Sequence, residues 1–131
     1  MLNSALTFRW LFVTVSLLVL GQVTPAVADD VHDCEQGAGP EVQIQGCTNL
    51  IMSGNLIGDR LAAAHFNCGN AYGFMGDFDH AIADYSEAIQ IKPDFALAYG
   101  NRALAYRVKG EPDRAKPDCD IATGLDPDTN C

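Results

Sequence analysis

Five cysteines are the residues of this chain best suited to covalent chemistry: Cys34, Cys47, Cys68, Cys119 and Cys131. None of them has the Cys-x-x-Cys spacing of a redox-active dithiol or a zinc ribbon, and an odd number leaves at least one thiol free or paired between chains. We predict one disulfide between Cys34 and Cys47, and a second between Cys119 and Cys131 that ties the tail over the last helix. The alternative for Cys131 is a bond between chains. Cys68 is predicted to be a core thiol.

Other side chains with chemical potential lack a supporting pattern. His32 lies beside Cys34 in an acidic segment that is typical of a solvated terminus, His65 is interpreted as a packing residue, and His80 as part of a solvated face. The sequence contains no Ser-His-Asp or Cys-His arrangement with motif support and no glycine loop of the phosphate-binding type. We therefore predict no enzymatic activity, no metal site and no cofactor.

The beginning of the chain has the layout of a secretory signal peptide. Arg9 precedes the apolar run Trp10–Leu20, and Ala26-Val27-Ala28 is a small-x-small cleavage site. The run is about half as long as the roughly 20 residues of a spanning helix. We predict residues 1–28 to be a signal peptide, the alternative being a permanent membrane anchor. Export, to the periplasm or out of the cell, would place the cysteines where disulfides persist.

The chain is acidic, with 17 Asp and Glu, 8 Lys and Arg and a formal net charge of −9. Such a surface repels nucleic-acid phosphates and anionic lipid headgroups, so nucleic-acid binding is disfavoured. The acidity either keeps an exported protein soluble or attracts a basic partner.

The strongest pattern along the chain is an internal repeat with a period of about 34 residues, in which residues 62–94 match residues 96–128. A fixed period of this length indicates stacked supersecondary units. The identical pairs include Asn67 and Asn101, Tyr72 and Tyr106, Gly76 and Gly110, Asp79 and Asp113, and Pro93 and Pro127.

Helical spacing of apolar residues divides each copy into two helices joined by a glycine turn. Residues 29–59 are predicted to hold an extended leader over 29–39 and one degenerate helix, and residues 60–131 the two repeats. Pro117 would remove a backbone donor from a helix interior, so the last helix is predicted to begin late, near Pro117, or to be kinked there. The predicted helices are Glu41–Ser53, Arg60–Met75, Phe78–Ile91, Phe95–Lys109 and Asp113–Leu125.

The segment NCGNAYGFMGDFDHAIADYSEAIQIKP resembles the tetratricopeptide repeat, and the chain is similar to the small exported bacterial type. The resemblance implies an all-α fold of stacked antiparallel helix hairpins, an α-solenoid of two full repeats plus the degenerate helix. Cys119 departs from the family pattern, which has an aromatic residue at this place. The matching residues are Gly69, Tyr72, Ala81, Tyr85, Ala88 and Pro93 in the first copy, and Ala103, Tyr106, Ala115, Ala122 and Pro127 in the second.

In this family the first helices of successive repeats line a concave groove that holds peptides. The resemblance places Asn70 and Asn101 where amide groups bond an extended ligand, although Asn101 has the alternative of bonding the neighbouring helix. Phe66 and Gly100 stand where a carboxylate clamp has lysine, so an apolar or extended segment is expected rather than an acidic tail. The implied groove residues are Phe66, Asn70, Phe74, Leu97, Asn101, Leu104, Arg107 and Val108.

The sequence therefore predicts an exported scaffold or adaptor that binds a protein or peptide. The alternative is a redox-linked accessory protein of the cell envelope that acts through Cys119 or Cys131. About three repeats are needed for a continuous core, and nothing long follows Pro127. We expect a partner, a second copy in a homo-oligomer or the disulfide-tied tail to cover the last helix, and no membrane anchor once the signal peptide is removed.

Overall fold

The computed structural model describes residues 25–129 and residue 131. Within these residues the chain forms six α-helices, one more than the sequence predicts, and no strand, so the predicted all-α class is confirmed. The helices are α1 (Pro25–Gln36), α2 (Pro40–Met52), α3 (Asp59–Phe74), α4 (Phe78–Ile91), α5 (Ala96–Val108) and α6 (Pro112–Leu125).

Consecutive helices pair into three hairpins, α1 with α2, α3 with α4 and α5 with α6. The hairpins stack because α2 also packs on α3, and α4 on α5. Gly76 and Gly110 occupy equivalent places in the turns of the second and third hairpins, with φ of 78° and 80°. Glycine adopts this left-handed geometry without the steric cost that a Cβ brings. The predicted stacked-hairpin architecture is confirmed.

The first hairpin corrects the prediction of an extended leader over residues 29–39, since α1 continues to Gln36. Val27, Val31 and Cys34 recur at helical spacing and pack in one cluster with Cys47 and Leu50 of α2. The acidic residues between them conceal this apolar stripe in the sequence. The hairpin is thus complete, and the predicted cleavage site overlaps the first turns of α1. The rest of the predicted signal peptide, residues 1–24, lies outside the described residues.

Close approach within the first hairpin depends on Gly46. A Cβ at this position would lie 2.7 Å from the main-chain nitrogen of Cys34 and 2.9 Å from the main-chain oxygen of Asp30. Only the absence of a side chain lets α1 lie against α2 at this distance.

Of the two alternatives predicted for the last helix, the late start near Pro117 is wrong, because α6 begins at Pro112 and continues through Pro117. Proline suits the first turn of a helix, where its missing N–H would have no partner. The buried face of α6 carries Ala115, Asp118 and Ala122, while Pro117 lies on the exposed side. Burial of this face stabilises α6 although Pro117 has no N–H to donate a helical hydrogen bond.

An ion pair within the last hairpin is also hydrogen-bonded to the preceding hairpin. Arg102 of α5 donates through Nε and Nη2 to both carboxylate oxygens of Asp118 at 2.7 Å, and through Nη1 to Ser86 of α4 at 2.9 Å. Asp118 is only 5% exposed, and its hydrogen bonds raise the pKa of Arg102 above the usual range. One guanidinium therefore connects three helices.

We expect Arg102→Met to lower the free energy of unfolding by about 3 kcal/mol, because the Asp118 carboxylate would stay buried without its partner. Urea denaturation followed by circular dichroism measures the loss. The double variant Arg102→Met with Asp118→Leu should be more stable than the single variant. An equal or larger loss in the double variant would contradict the assignment.

Candidate peptide-binding groove

A cavity of about 410 Å³ opens between α3 and α5, with α4 as its floor. Helix α3 contributes two residues that the sequence places in the groove, and α5 contributes two more. The lining residues are Asn70, Gly73, Phe74, Phe78, Ala81, Tyr85, Asn101, Leu104 and Ala105.

The structure brings together half of the predicted groove residues at this cavity: Asn70, Phe74, Asn101 and Leu104. Phe74 is 85% exposed and Leu104 57% exposed, so apolar surface flanks the opening on both helices.

The other predicted groove residues lie away from the cavity. The Phe66 ring packs 4.8 Å from the Phe95 ring and 5.9 Å from the Tyr85 ring, between hairpins. Leu97 and Val108 are exposed on α5 outside the cavity. Arg107 donates through Nη1 to the main-chain oxygen of Cys131 at 2.7 Å.

The residues that α4 contributes to the cavity were not predicted as site residues. The resemblance assigns the groove to first helices alone, yet Phe78, Ala81 and Tyr85 come from a second helix. The sequence feature that could have indicated this wall from α4 is Gly73, which lies one turn from Gly69 on α3. A Cβ at Gly73 would lie 3.7 Å from the Tyr85 hydroxyl, so the missing side chain leaves that hydroxyl accessible from the cavity.

An amide network occupies the wall of the cavity. Tyr85 donates its hydroxyl to Asn70 Oδ1 at 2.9 Å, and Asn101 Nδ2 donates to the same oxygen at 2.8 Å. Burial raises the pKa of Tyr85 to about 12, so the phenol remains a donor at neutral pH. The sequence left open whether Asn101 bonds a ligand or the neighbouring helix. In the structure its Nδ2 bonds Asn70 of α3.

The network leaves one amide nitrogen and one amide oxygen unpaired and able to bond a ligand. Among the described residues, Asn70 Nδ2 and Asn101 Oδ1 have no hydrogen-bond partner, and neither is a buried unpartnered atom. An amide N–H and an amide carbonyl held side by side match the donor and acceptor of an extended peptide backbone.

Two basic side chains at the C-terminal end of α5 are already engaged within the protein. The Lys109 ammonium pairs with the carboxylates of Asp79 and Glu111, and Arg107 bonds the Cys131 main chain. The cavity lining itself contains no charged side chain. Its chemistry is therefore that of an apolar surface with one amide pair.

The cysteines pair as proposed from the sequence. Cys34 and Cys47 form a disulfide between α1 and α2 with Cα atoms 4.5 Å apart, and Cys119 and Cys131 form a second with Cα atoms 5.7 Å apart. Cys68 is free and buried, and its burial raises the pKa of the thiol to about 12.

The described ranges, 25–129 and 131, contain no cluster of three or more His, Cys, Asp or Glu side chains placed to hold a metal ion. No helix there has both the length and the apolar character needed to cross a membrane.

Comparison with known proteins identifies the class of fold. A family model described as "Tetratricopeptide repeat" matches residues 62–95. Crystal structures of MamA superpose with TM-scores of 0.61 and 0.60 at 28% and 27% identity, covering 78% of this chain and 54% and 51% of theirs. This chain therefore contains a tetratricopeptide repeat at residues 62–95.

Curated relatives share the repeat region. Stress-induced-phosphoprotein 1 of Caenorhabditis elegans is 39% identical over 70 residues, which cover 53% of this chain and 22% of that protein. Mitochondrial import receptor subunit TOM70 of Mus musculus is 30% identical over 112 residues, covering 82% of this chain and 16% of the receptor. The chain thus spans about a fifth or less of the length of these relatives. The repeats and these relatives support a protein–protein interaction module.

We expect no reaction of the native protein with a small thiol reagent such as iodoacetamide at pH 8. Because the pKa of Cys68 is raised to about 12, the thiolate remains scarce at that pH, and the buried sulfur is inaccessible. Mass spectrometry should find one alkylated cysteine, Cys68, after unfolding in guanidinium without reductant. Rapid labelling of the native protein would contradict the assignment.

Proposed function

We propose that this protein is an interaction module that holds a polypeptide segment in the cavity between α3 and α5. The observation that carries the proposal is the exposure of Phe74 and Leu104 on either side of that cavity. Exposed apolar side chains that flank a concave surface are typical of binding sites. An apolar side chain of the ligand enters between them, and Phe78 and Ala81 form the deeper wall.

The amide pair then orients the ligand backbone. Asn70 Nδ2 donates to a ligand carbonyl and Asn101 Oδ1 accepts from a ligand N–H, while Tyr85 and the second amide hydrogen bond fix both side chains. Such a preorganised pair costs little conformational entropy when the ligand binds. An extended segment exposes both backbone groups, so it satisfies the pair better than a helix whose backbone groups are internally bonded.

The relatives are consistent with a polypeptide ligand. One matching protein is called a heat-shock protein cognate co-chaperone, at 36% identity over 59 residues, and another a mitochondrial import receptor subunit. The partner proposed for this chain differs from an acidic tail, because Arg107 and Lys109 are engaged within the protein. It carries an apolar anchor, and its charge is neutral or basic since the chain is acidic.

We further propose that the protein acts after export, in the periplasm or outside the cell. The apolar run Trp10–Leu20 and the small-residue site at 26–28 support this location. The presence of two cysteine pairs at disulfide distance is what an oxidising compartment favours. Fractionation of the producing cell, with amino-terminal sequencing of the recovered protein, tests both the location and the cleavage.

We expect Phe74→Ala to weaken ligand binding about tenfold, since an aromatic anchor contributes on the order of 1–2 kcal/mol. Extended peptides selected from a displayed library on the oxidised protein serve as ligands, and fluorescence anisotropy gives the Kd. Met52→Ala is the matched control, because Met52 is 80% exposed and does not line the cavity. Equal binding by both variants, or equal weakening, would disprove the groove.

Asn70→Asp tests the amide pair separately from apolar contact. The carboxylate keeps an oxygen for Tyr85 and Asn101 but replaces the donor Nδ2 with an acceptor, so a ligand carbonyl meets repulsion. We expect the Kd of the same peptides to rise about tenfold with little change in unfolding free energy. Asn55→Asp adds the same charge in an exposed loop and should leave the Kd unchanged.

A further inference from the structure

The residues after α6 fold back onto α5 and form a strap, defined here as Asp126–Thr129 together with Cys131. The Thr129 methyl carbon lies against Gly100, where a Cβ would approach it to 2.9 Å. The Cys131 main-chain oxygen accepts from Arg107, and its sulfur bonds to Cys119 of α6. Three attachments thus hold the strap across α5.

The strap lies in the register of a further repeat. Thr129 and Gly100 stand one sequence period after Phe95 and Phe66, whose rings are 4.8 Å apart where the second and third hairpins meet. One repeat earlier, the contact between Phe66 and Phe95 lies at the start of the third hairpin. The contact of Thr129 with Gly100 is its equivalent, made with a smaller side chain. The strap occupies the place on α5 where the first helix of another repeat would start.

The disulfide is the principal attachment, because the strap buries little surface. Thr129 is half-buried, whereas Asp126, Pro127, Asp128 and Cys131 are exposed. The Thr129 hydroxyl is buried without a partner among the described residues. A local turn is formed by hydrogen bonds from Thr129 N to Asp126 O at 3.0 Å and from Asp128 N to Asp126 Oδ1 at 3.1 Å, but neither bond joins the strap to α5.

The two disulfides differ in their access to solvent. Cys34 and Cys47 are 2% and 0% exposed, so an external thiolate cannot reach either sulfur in the folded protein. Cys131 is exposed and Cys119 is half-buried. Exchange begins with attack of a thiolate on a disulfide sulfur, so its rate depends on this access.

We propose that the Cys119–Cys131 disulfide is a redox latch whose opening releases the strap from α5 while the three hairpins stay folded. A dithiol reductant attacks the exposed disulfide, passes through a mixed disulfide and leaves as its own cyclic disulfide. It transfers two electrons and two protons, and Cys119 and Cys131 become thiols. Release uncovers Gly100 and frees the Arg107 guanidinium in the last turn of α5.

The first test treats the native full chain with dithiothreitol and follows each cysteine by alkylation and peptide mass spectrometry. We expect Cys119 and Cys131 to become reactive at least about tenfold faster than Cys34 and Cys47, because only the latch is accessible. Hydrogen exchange should then show loss of amide protection in the strap, with α3 to α6 unchanged. Reduction of both disulfides at one rate, or a strap that stays protected, would overturn the proposal.

The second test alters the strap contact without touching a cysteine. Gly100→Ala places a Cβ 2.9 Å from the Thr129 methyl carbon, so the Thr129 side chain must shift and its contact with α5 is weakened. The latch should then be reduced several-fold more readily at equilibrium. Gly124→Ala is the matched control, because a Cβ there meets no atom within 4 Å. Equal reduction of the two variants would show that the strap does not rest on Gly100. Loss of amide protection in α5 of the reduced protein would show that the Cys119–Cys131 bond stabilises the helices rather than the strap, and would also overturn the proposal.

Discussion

The ring of Tyr85 lies directly on Gly69, and the spacing of the central hairpin follows from this contact. A Cβ at Gly69 would come within 2.7 and 2.8 Å of two ring carbons, so α3 approaches α4 only because that position has no side chain. The hydroxyl of the same tyrosine donates to Asn70, which also accepts from Asn101 of the next hairpin. One buried side chain thus sets the distance within a hairpin, joins two hairpins and orients the amide pair of the cavity.

The second copy of the repeat performs these tasks with different residues. Cys119 stands one period after Tyr85 and Leu104 one period after Asn70, so neither the phenol nor the amide recurs. The Arg102–Asp118 pair and the cluster of Ala103, Tyr106 and Ala115 hold the last hairpin instead. The groove is therefore asymmetric, with its amide pair between the second and third hairpins and an exposed leucine beyond it.

The repeat predicted most of the architecture, because identical residues at a fixed period constrain packing as well as helix formation. It could not reveal α1, whose apolar stripe of Val27, Val31 and Cys34 lies among acidic residues and outside the repeated segment. It also left open a late start of α6 at Pro117, because the repeat does not show that the opposite face of this helix is buried. Four of the groove residues inferred from the resemblance line the cavity. The wall from α4 could not be predicted, because it depends on how closely Tyr85 approaches Gly69 and Gly73 once the hairpin is packed.

The disulfides also bear on how the chain reaches this structure. Each bridge joins cysteines close in sequence, with separations of 13 and 12 residues, and the helix contacts are mainly between neighbours along the chain. Short loops close quickly and at low entropic cost, so Cys34 can pair with Cys47 once the first hairpin collapses, and Cys119 with Cys131 once the strap folds back. Cys68 competes for these partners only until α3 packs against the first hairpin and buries it. We therefore expect folding from local hairpin to stack to protect the native pairing in a chain with an odd number of cysteines.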